Sequence, residues 1–153
     1  MEPNHYHLTS RWQLAAPPRT VYRLLRDVER YPQWWPQVRG VRALDDTSGE
    51  LRIRSVLPYT LLMTARELRQ DEAAGVLEAE LTGDLAGWSR WTVGAHGTGS
   101  LALFEEDVRP GKPLMRRLAL PARPLFLANH ALMMRAGERG LRRHLADPPH
   151  TGR

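Results

Sequence analysis

Apolar and polar residues alternate with a period of two from the start of the chain. Tyr6, Leu8, Ser10, Trp12 and Leu14 interleave with His7, Thr9, Arg11 and Gln13, the pattern of a half-buried strand. Pro17-Pro18 breaks that pattern, and a proline suits the first turn of a helix, where its missing N–H has no partner to lose. Val21, Leu24, Leu25 and Val28 then fall at i, i+3, i+4 and i+7, one apolar face of a short helix. Tyr31 extends the stripe, and Pro32 and Pro36 bracket Gln33-Trp34-Trp35 in a rigid aromatic turn.

The middle of the chain is strand-like throughout. Val38 to Leu44 ends in the turn cluster Asp45-Asp46-Thr47-Ser48-Gly49. Leu51, Ile53, Ser55 and Leu57 alternate with Arg52 and Arg54 until Pro58. Leu62, Thr64, Arg66 and Leu68 share one face of the next candidate strand, which this spacing assigns to the interior. Leu77, Ala79 and Leu81, then Ser89, Trp91 and Val93, then Ser100 to Val108, complete the series, with turn signals between them as in an antiparallel meander. Beyond Pro113 the short basic stretch Leu114 to Leu120 is bounded by Pro121 and Pro124.

From Leu125 to Ala146 no proline interrupts a long amphipathic helix. Leu127, His130, Ala131, Met134, Gly137, Leu141 and Leu145 fall on its predicted inner side. The expected fold class is therefore α+β: a curved antiparallel β-sheet of six or seven strands wrapped around a long C-terminal α-helix. That helix is the one large element available to cover the sheet, and a curved sheet gripping a helix leaves room for a ligand cavity. A single domain is expected over residues 1–153, with its core at about 6–146 and a frayed tail at 147–153.

Composition narrows the function classes. At 153 residues, with 42% hydrophobic and 25% charged residues, the chain can bury roughly 69% of its extended surface. It has no cysteine, which excludes a disulfide scaffold, a thiolate metal site and a cysteine nucleophile. No apolar run is long enough to span a bilayer, and the first residues lack a leader's charged-then-apolar order, so a cytoplasmic location without integral membrane association is expected. The net charge is +5, which raises nucleic acid as a partner. The basic residues are scattered arginines, however, with Lys112 the only lysine, and no nucleic-acid-binding motif accompanies them, so no nucleic-acid partner is expected. The histidines show neither an i, i+4 pair nor an HExxH helix, and Gly94 to Gly99 lacks the lysine and following helix of a phosphate loop. No metal and no cofactor are expected.

One string is more specific. Ala16-Pro17-Pro18-Arg19-Thr20-Val21-Tyr22-Arg23-Leu24-Leu25, followed by Asp27 and by Tyr31-Pro32-Gln33-Trp34-Trp35-Pro36, resembles the opening of the START-like helix-grip (SRPBCC) superfamily, in particular its polyketide cyclase/dehydrase-like branch. The resemblance runs from about Tyr6 to Leu145. It implies a helix-grip fold and a function among aromatase/cyclases, lipid carriers and quinone carriers. In the aromatase/cyclases a pocket arginine follows a small hydroxyl residue by two positions on a central strand, and Arg66 with Thr64 is similar. Trp91 resembles their pocket tryptophan and Tyr31 their aromatic at the end of the first helix. Val38 stands where those enzymes carry a further tyrosine, one proton donor fewer.

The expected ligand-binding residues are Tyr31, Trp35, Thr64, Arg66, Trp91, His130, Met134 and Gly137. Arg66 on an apolar strand face would need an anionic or carbonyl partner, either a ligand or a neighbouring carboxylate such as Glu78, Glu80 or Glu105. The catalytic candidates are Arg66, as a fixed charge, and His130, as a general acid/base; His130 is alternatively a hydrogen-bonded core residue. Trp34 or Trp35 is expected to plug the sheet, and Gly137 to leave space on the inner helix face. The leading expectation is a binder of a small hydrophobic molecule, aromatic, polyketide-like or lipid-like. Its rivals are an aromatase/cyclase or dehydratase using Arg66 and His130, and a protein-interaction module without ligand. A homodimer is retained among the candidate partners.

Overall fold

The computed structural model describes residues 5–54, 60–111 and 123–146. Seven strands form one antiparallel sheet: β1 (Tyr6–Leu14), β2 (Val38–Ala43), β3 (Ser48–Ile53), β4 (Leu61–Asp71), β5 (Val76–Gly83), β6 (Leu85–His96) and β7 (Gly99–Pro110). Their spatial order is β1-β7-β6-β5-β4-β3-β2, so every neighbour is a hairpin partner except β1, which crosses to pair with β7. Helix α1 (Pro18–Arg26) starts at a proline, and a 3-10 turn at Val28–Gln33 follows it. Helix α2 (Arg123–Ala146) has Pro124 in its first turn, where no helical N–H is lost. The expected strand following Leu51 overlaps β3, although Ser55 to Leu57 lie outside the described residues, as do the stretch Leu114 to Leu120 and the tail at 147–153.

Helix α2 lies on the inner face of the sheet, as the element order predicts. Met134, Gly137 and Leu141 are its buried residues. The predicted inner side is rotated in the first turns, where Leu127 and Ala131 are exposed while Phe126 and Met133 pack inward. Trp12 of β1 sits at the centre of an aromatic cluster, 5.2 Å from Trp35 and 4.8 Å from Trp91 between ring centroids. Trp34 and Trp35 stack at 5.5 Å, and Trp91 meets Phe104 at 4.8 Å.

The turn carrying Trp34 and Trp35 docks onto α2 because two glycines let it. A Cβ on Gly140 would lie 1.7 Å from the Trp34 carbonyl oxygen, and one on Gly137 would lie 2.5 Å from Cε2 of Trp35. The Trp35 indole then donates a 3.0 Å hydrogen bond to the Met133 carbonyl. Gly137 therefore does not leave an opening. Its missing side chain is replaced by Trp35 and Trp12.

A second apolar cluster, with Tyr6, Leu51, Met63, Leu81 and Val108, lies on the same inner face. The β4 alternation is real, but its faces are reversed from the expectation. Met63 is opposite Leu51 and Ala65 opposite Leu81, and both partners are buried on the inner face, which sends Leu62, Thr64, Arg66 and Leu68 outward. A bulge at Leu68 shifts the β4–β5 register between Glu67 and Arg69.

Candidate functional site

Between the two clusters the curved sheet and α2 enclose a cavity of about 320 Å³. Its floor is set by strand register. Ala79 of β5 is opposite Ser89 of β6, Ser89 is opposite Glu106 of β7, and Glu106 is opposite Leu8 of β1. Ala79 and Ser89 are small, so this row leaves volume beside Glu106. On the neighbouring row, Leu77, Trp91 and Phe104 supply an apolar and aromatic wall. Tyr31 and Trp35 close the cavity from the aromatic turn, Met133 and Met134 from α2, and Leu51 and Met63 from β3 and β4.

The mouth is polar and mainly acidic. Asp27 and Glu29 come from the segment after α1, Asp45 and Asp46 from the β2–β3 turn, and Glu67 from β4, with Arg26 and Arg69 as the cationic members. The carboxylate of Asp45 accepts the backbone N–H groups of Thr47 (2.9 Å) and Ser48 (2.8 Å), which lowers its pKa and fixes one lip.

Of the expected ligand residues, Tyr31, Trp35, Trp91 and Met134 line this cavity. Thr64 and Arg66 do not. Arg66 is exposed on the outer face and pairs with Glu80 at 3.3 Å, directly opposite across β4 and β5. The cost of burying an arginine among Met63, Ala65 and Leu81 is avoided by that outward register. Arg66 is thus removed from the catalytic candidates. Gly137 is sealed off by the indoles, as described above. Tyr31, although it lines the cavity, donates its hydroxyl to the Leu25 carbonyl, and burial raises its pKa, so it holds its proton firmly.

His130 stands behind the wall. Its ring stacks over Phe104 at 6.4 Å, and its Nε2 lies 3.8 Å from Oε1 of Glu106, beyond hydrogen-bond reach. That nitrogen is buried with no hydrogen-bond partner among the described residues. The residue that sequence reasoning passed over is Glu106, which lines the cavity at 8% exposure. Burial pushes its carboxyl up to about 7 and pushes His130 down to about 4. At neutral pH the imidazole is therefore uncharged, and the carboxyl divides between acid and carboxylate. The sequence did contain the signal: Ser100, Ala102, Phe104, Glu106 and Val108 share one alternation, and the single charge in it is Glu106.

The family described as polyketide cyclase/dehydrase and lipid transport matches residues 14–133 of the sequence. The chain belongs to that family. No curated protein matches the sequence significantly. Solved structures share the helix-grip fold at low identity. A protein from Thermus thermophilus superposes with a TM-score of 0.73 at 16% identity, covering 88% of this chain and 96% of its own. The aromatase/cyclase Zhui from Streptomyces sp. R1128 gives 0.64 at 19% identity, covering 88% and 95%. A START superfamily protein from Mycobacterium smegmatis gives 0.59 at 20% identity, covering 85% and 96%. At these identities the likeness carries the fold, and the chemistry of this family member has to come from its own cavity.

Among the described residues no helix is long and apolar enough to cross a membrane.

Proposed function

We propose that the chain binds a small hydrophobic molecule, aromatic, polyketide-like or lipid-like, in the cavity between the sheet and α2. The observation that carries this reading is the cavity itself. A volume of about 320 Å³, walled by Leu77, Trp91, Phe104 and Met134 and bordered by a polar mouth, suits an apolar ligand of modest size. Tyr31, Trp35 and Trp91 offer aromatic faces to a planar ligand.

A second reading, polyketide cyclisation or dehydration, is favoured by one observation. A cyclase needs a group that moves protons, and Glu106 titrates near neutrality inside an apolar cavity. In that reading Glu106 takes the general acid/base role expected of His130.

Native mass spectrometry of the protein purified from its source tests the binding reading. A co-purified small molecule that disappears in Ala79→Phe, a substitution that fills the cavity floor, is the expected result. A protein that carries no ligand and takes up no naphthalene would overturn binding and favour the interaction module. Conversion of a polyketide-like chain that stops in Glu106→Gln would move the assignment to the enzyme.

A further inference from the structure

The walls of the cavity are apolar except along one row, and that row points to the chemistry of the ligand. Glu106 reaches the cavity from β7 and Ser89 from β6, directly opposite each other. Among the described residues Glu106 makes no hydrogen bond, and Nε2 of His130 stands 3.8 Å from its Oε1. A carboxyl group this buried is unfavourable without a partner, so the site favours a ligand that brings one.

Resting on the binding reading above, we propose that Glu106, with Ser89 beside it, anchors a hydroxyl group at the inner end of an otherwise apolar, neutral ligand. Three features converge on this chemistry. A hydroxyl both donates and accepts, so it satisfies Glu106 whether the carboxyl carries its proton or not. The register also sets Ser89 directly across from Glu106 on the cavity floor, so its hydroxyl is a second partner for the same ligand group. Finally, among the described residues no cation lines the inner end, and the mouth carries Asp27, Glu29, Asp45, Asp46 and Glu67 against Arg26 and Arg69. A ligand carboxylate would be repelled on entry and would meet a second carboxyl at the end of the cavity. The predicted selectivity is for phenols and alcohols, against fatty or aromatic acids of the same size.

Three probes of one size test this by calorimetry at pH 7: naphthalene, 2-naphthol and 2-naphthoate. The expected result is 2-naphthol tighter than naphthalene by about tenfold, the scale of one hydrogen bond to a charged group, and 2-naphthoate weakest. Glu106→Leu should bring 2-naphthol and naphthalene to equal affinity while leaving naphthalene binding in place. Glu106→Gln, nearly isosteric, should keep part of the 2-naphthol preference and raise the affinity for 2-naphthoate, because the repelling charge is gone. Equal binding of 2-naphthol and naphthalene by the unaltered protein overturns the anchor and leaves the cavity reading standing. So does a 2-naphthol preference that survives Glu106→Leu, or 2-naphthoate as the tightest probe. Failure of all three probes to bind overturns the anchor and the cavity reading together.

Discussion

Glu106 and His130 carry opposite pH dependences that cancel in the intact protein and separate in single variants. For Glu106, burial raises the folded pKa from the ordinary 4.5 to about 7. Below pH 4.5 the carboxyl is protonated in both the folded and unfolded states. Between 4.5 and about 7 the unfolded chain ionises while the folded one resists, so stability is lost as pH rises. That gap, at about 1.4 kcal/mol for each pH unit, amounts to about 3 kcal/mol. For His130, burial lowers the folded pKa from the ordinary 6.5 to about 4. Above 6.5 the ring is neutral in both states. As pH falls from 6.5 to about 4 the unfolded chain takes up a proton and the folded one does not, so stability is lost by a similar about 3 kcal/mol.

Between pH 4.5 and 6.5 the two slopes oppose each other. The groups facing Glu106 are Leu8 of β1, Ser89 of β6 and His130 of α2, and of these only His130 titrates. Relative to the unaltered protein, Glu106→Gln should gain about 3 kcal/mol on going from pH 4.5 to 7, since its slope is removed and that of His130 remains. His130→Gln should show the reverse, gaining as pH falls from 6.5 to 4. Urea denaturation at half-unit pH steps, followed by tryptophan fluorescence, yields both difference curves, and the subtraction removes the titration of all surface groups. Two flat difference curves, or two of the same sign, would refute the placement of these groups as a buried pair.

Two other substitutions test the packing. Gly137→Ala gains about 1 kcal/mol of helix propensity, yet its Cβ would lie 2.5 Å from Cε2 of Trp35 and 2.8 Å from Cη2 of Trp12; a net loss of about 1 to 3 kcal/mol in urea denaturation is expected, and a gain would show that the indoles yield freely. Arg66→Ala removes a pair whose side chains are 55% and 44% exposed, so it should cost less than about 1 kcal/mol and leave the affinity for 2-naphthol unchanged, whereas a large loss of affinity would return Arg66 to the site.

The alternation of β1, β3, β5, β6 and β7 was readable because one face of each holds most of the large apolar side chains, as with Tyr6, Trp12 and Leu14 against His7, Arg11 and Gln13. Strand β4 was not readable in this way. Leu62 and Leu68 flank one alternation and Leu61, Met63 and Ala65 make up the other, so apolar content did not separate the faces, and the choice was made by partners on β3 and β5 that lie distant in sequence. The burial cost of Arg66 calls for a partner without fixing its face, and Glu80, one of the carboxylates the sequence offers, is that partner on the outer face. Gly137 was placed on the correct side of α2, but a glycine opposite two tryptophans fills as readily as it opens, and spacing along one helix does not show which side chains come to meet it.

The outward turn of Arg66 and the inward turn of Glu106 have a common consequence for function. Moving Arg66 outward removes the fixed positive charge that would hold an enolate or a carboxylate, and placing Glu106 inward puts a carboxyl group in the cavity instead. The electrostatic character of the site is thereby inverted. A cavity with an interior arginine stabilises developing negative charge. One with an interior carboxyl near its midpoint of titration accepts or returns a proton and repels anions. Both the hydroxyl-anchor and the proton-transfer readings therefore turn on Glu106, and they part on the fate of the ligand once it is bound. A hydroxyl held by Glu106 and Ser89 is a stable complex, whereas a hydroxyl leaving as water would need the carboxyl in its protonated form as the general acid. The same residue that orients an alcohol is thus correctly placed to expel it, and a bound ligand recovered unchanged or dehydrated decides between the two.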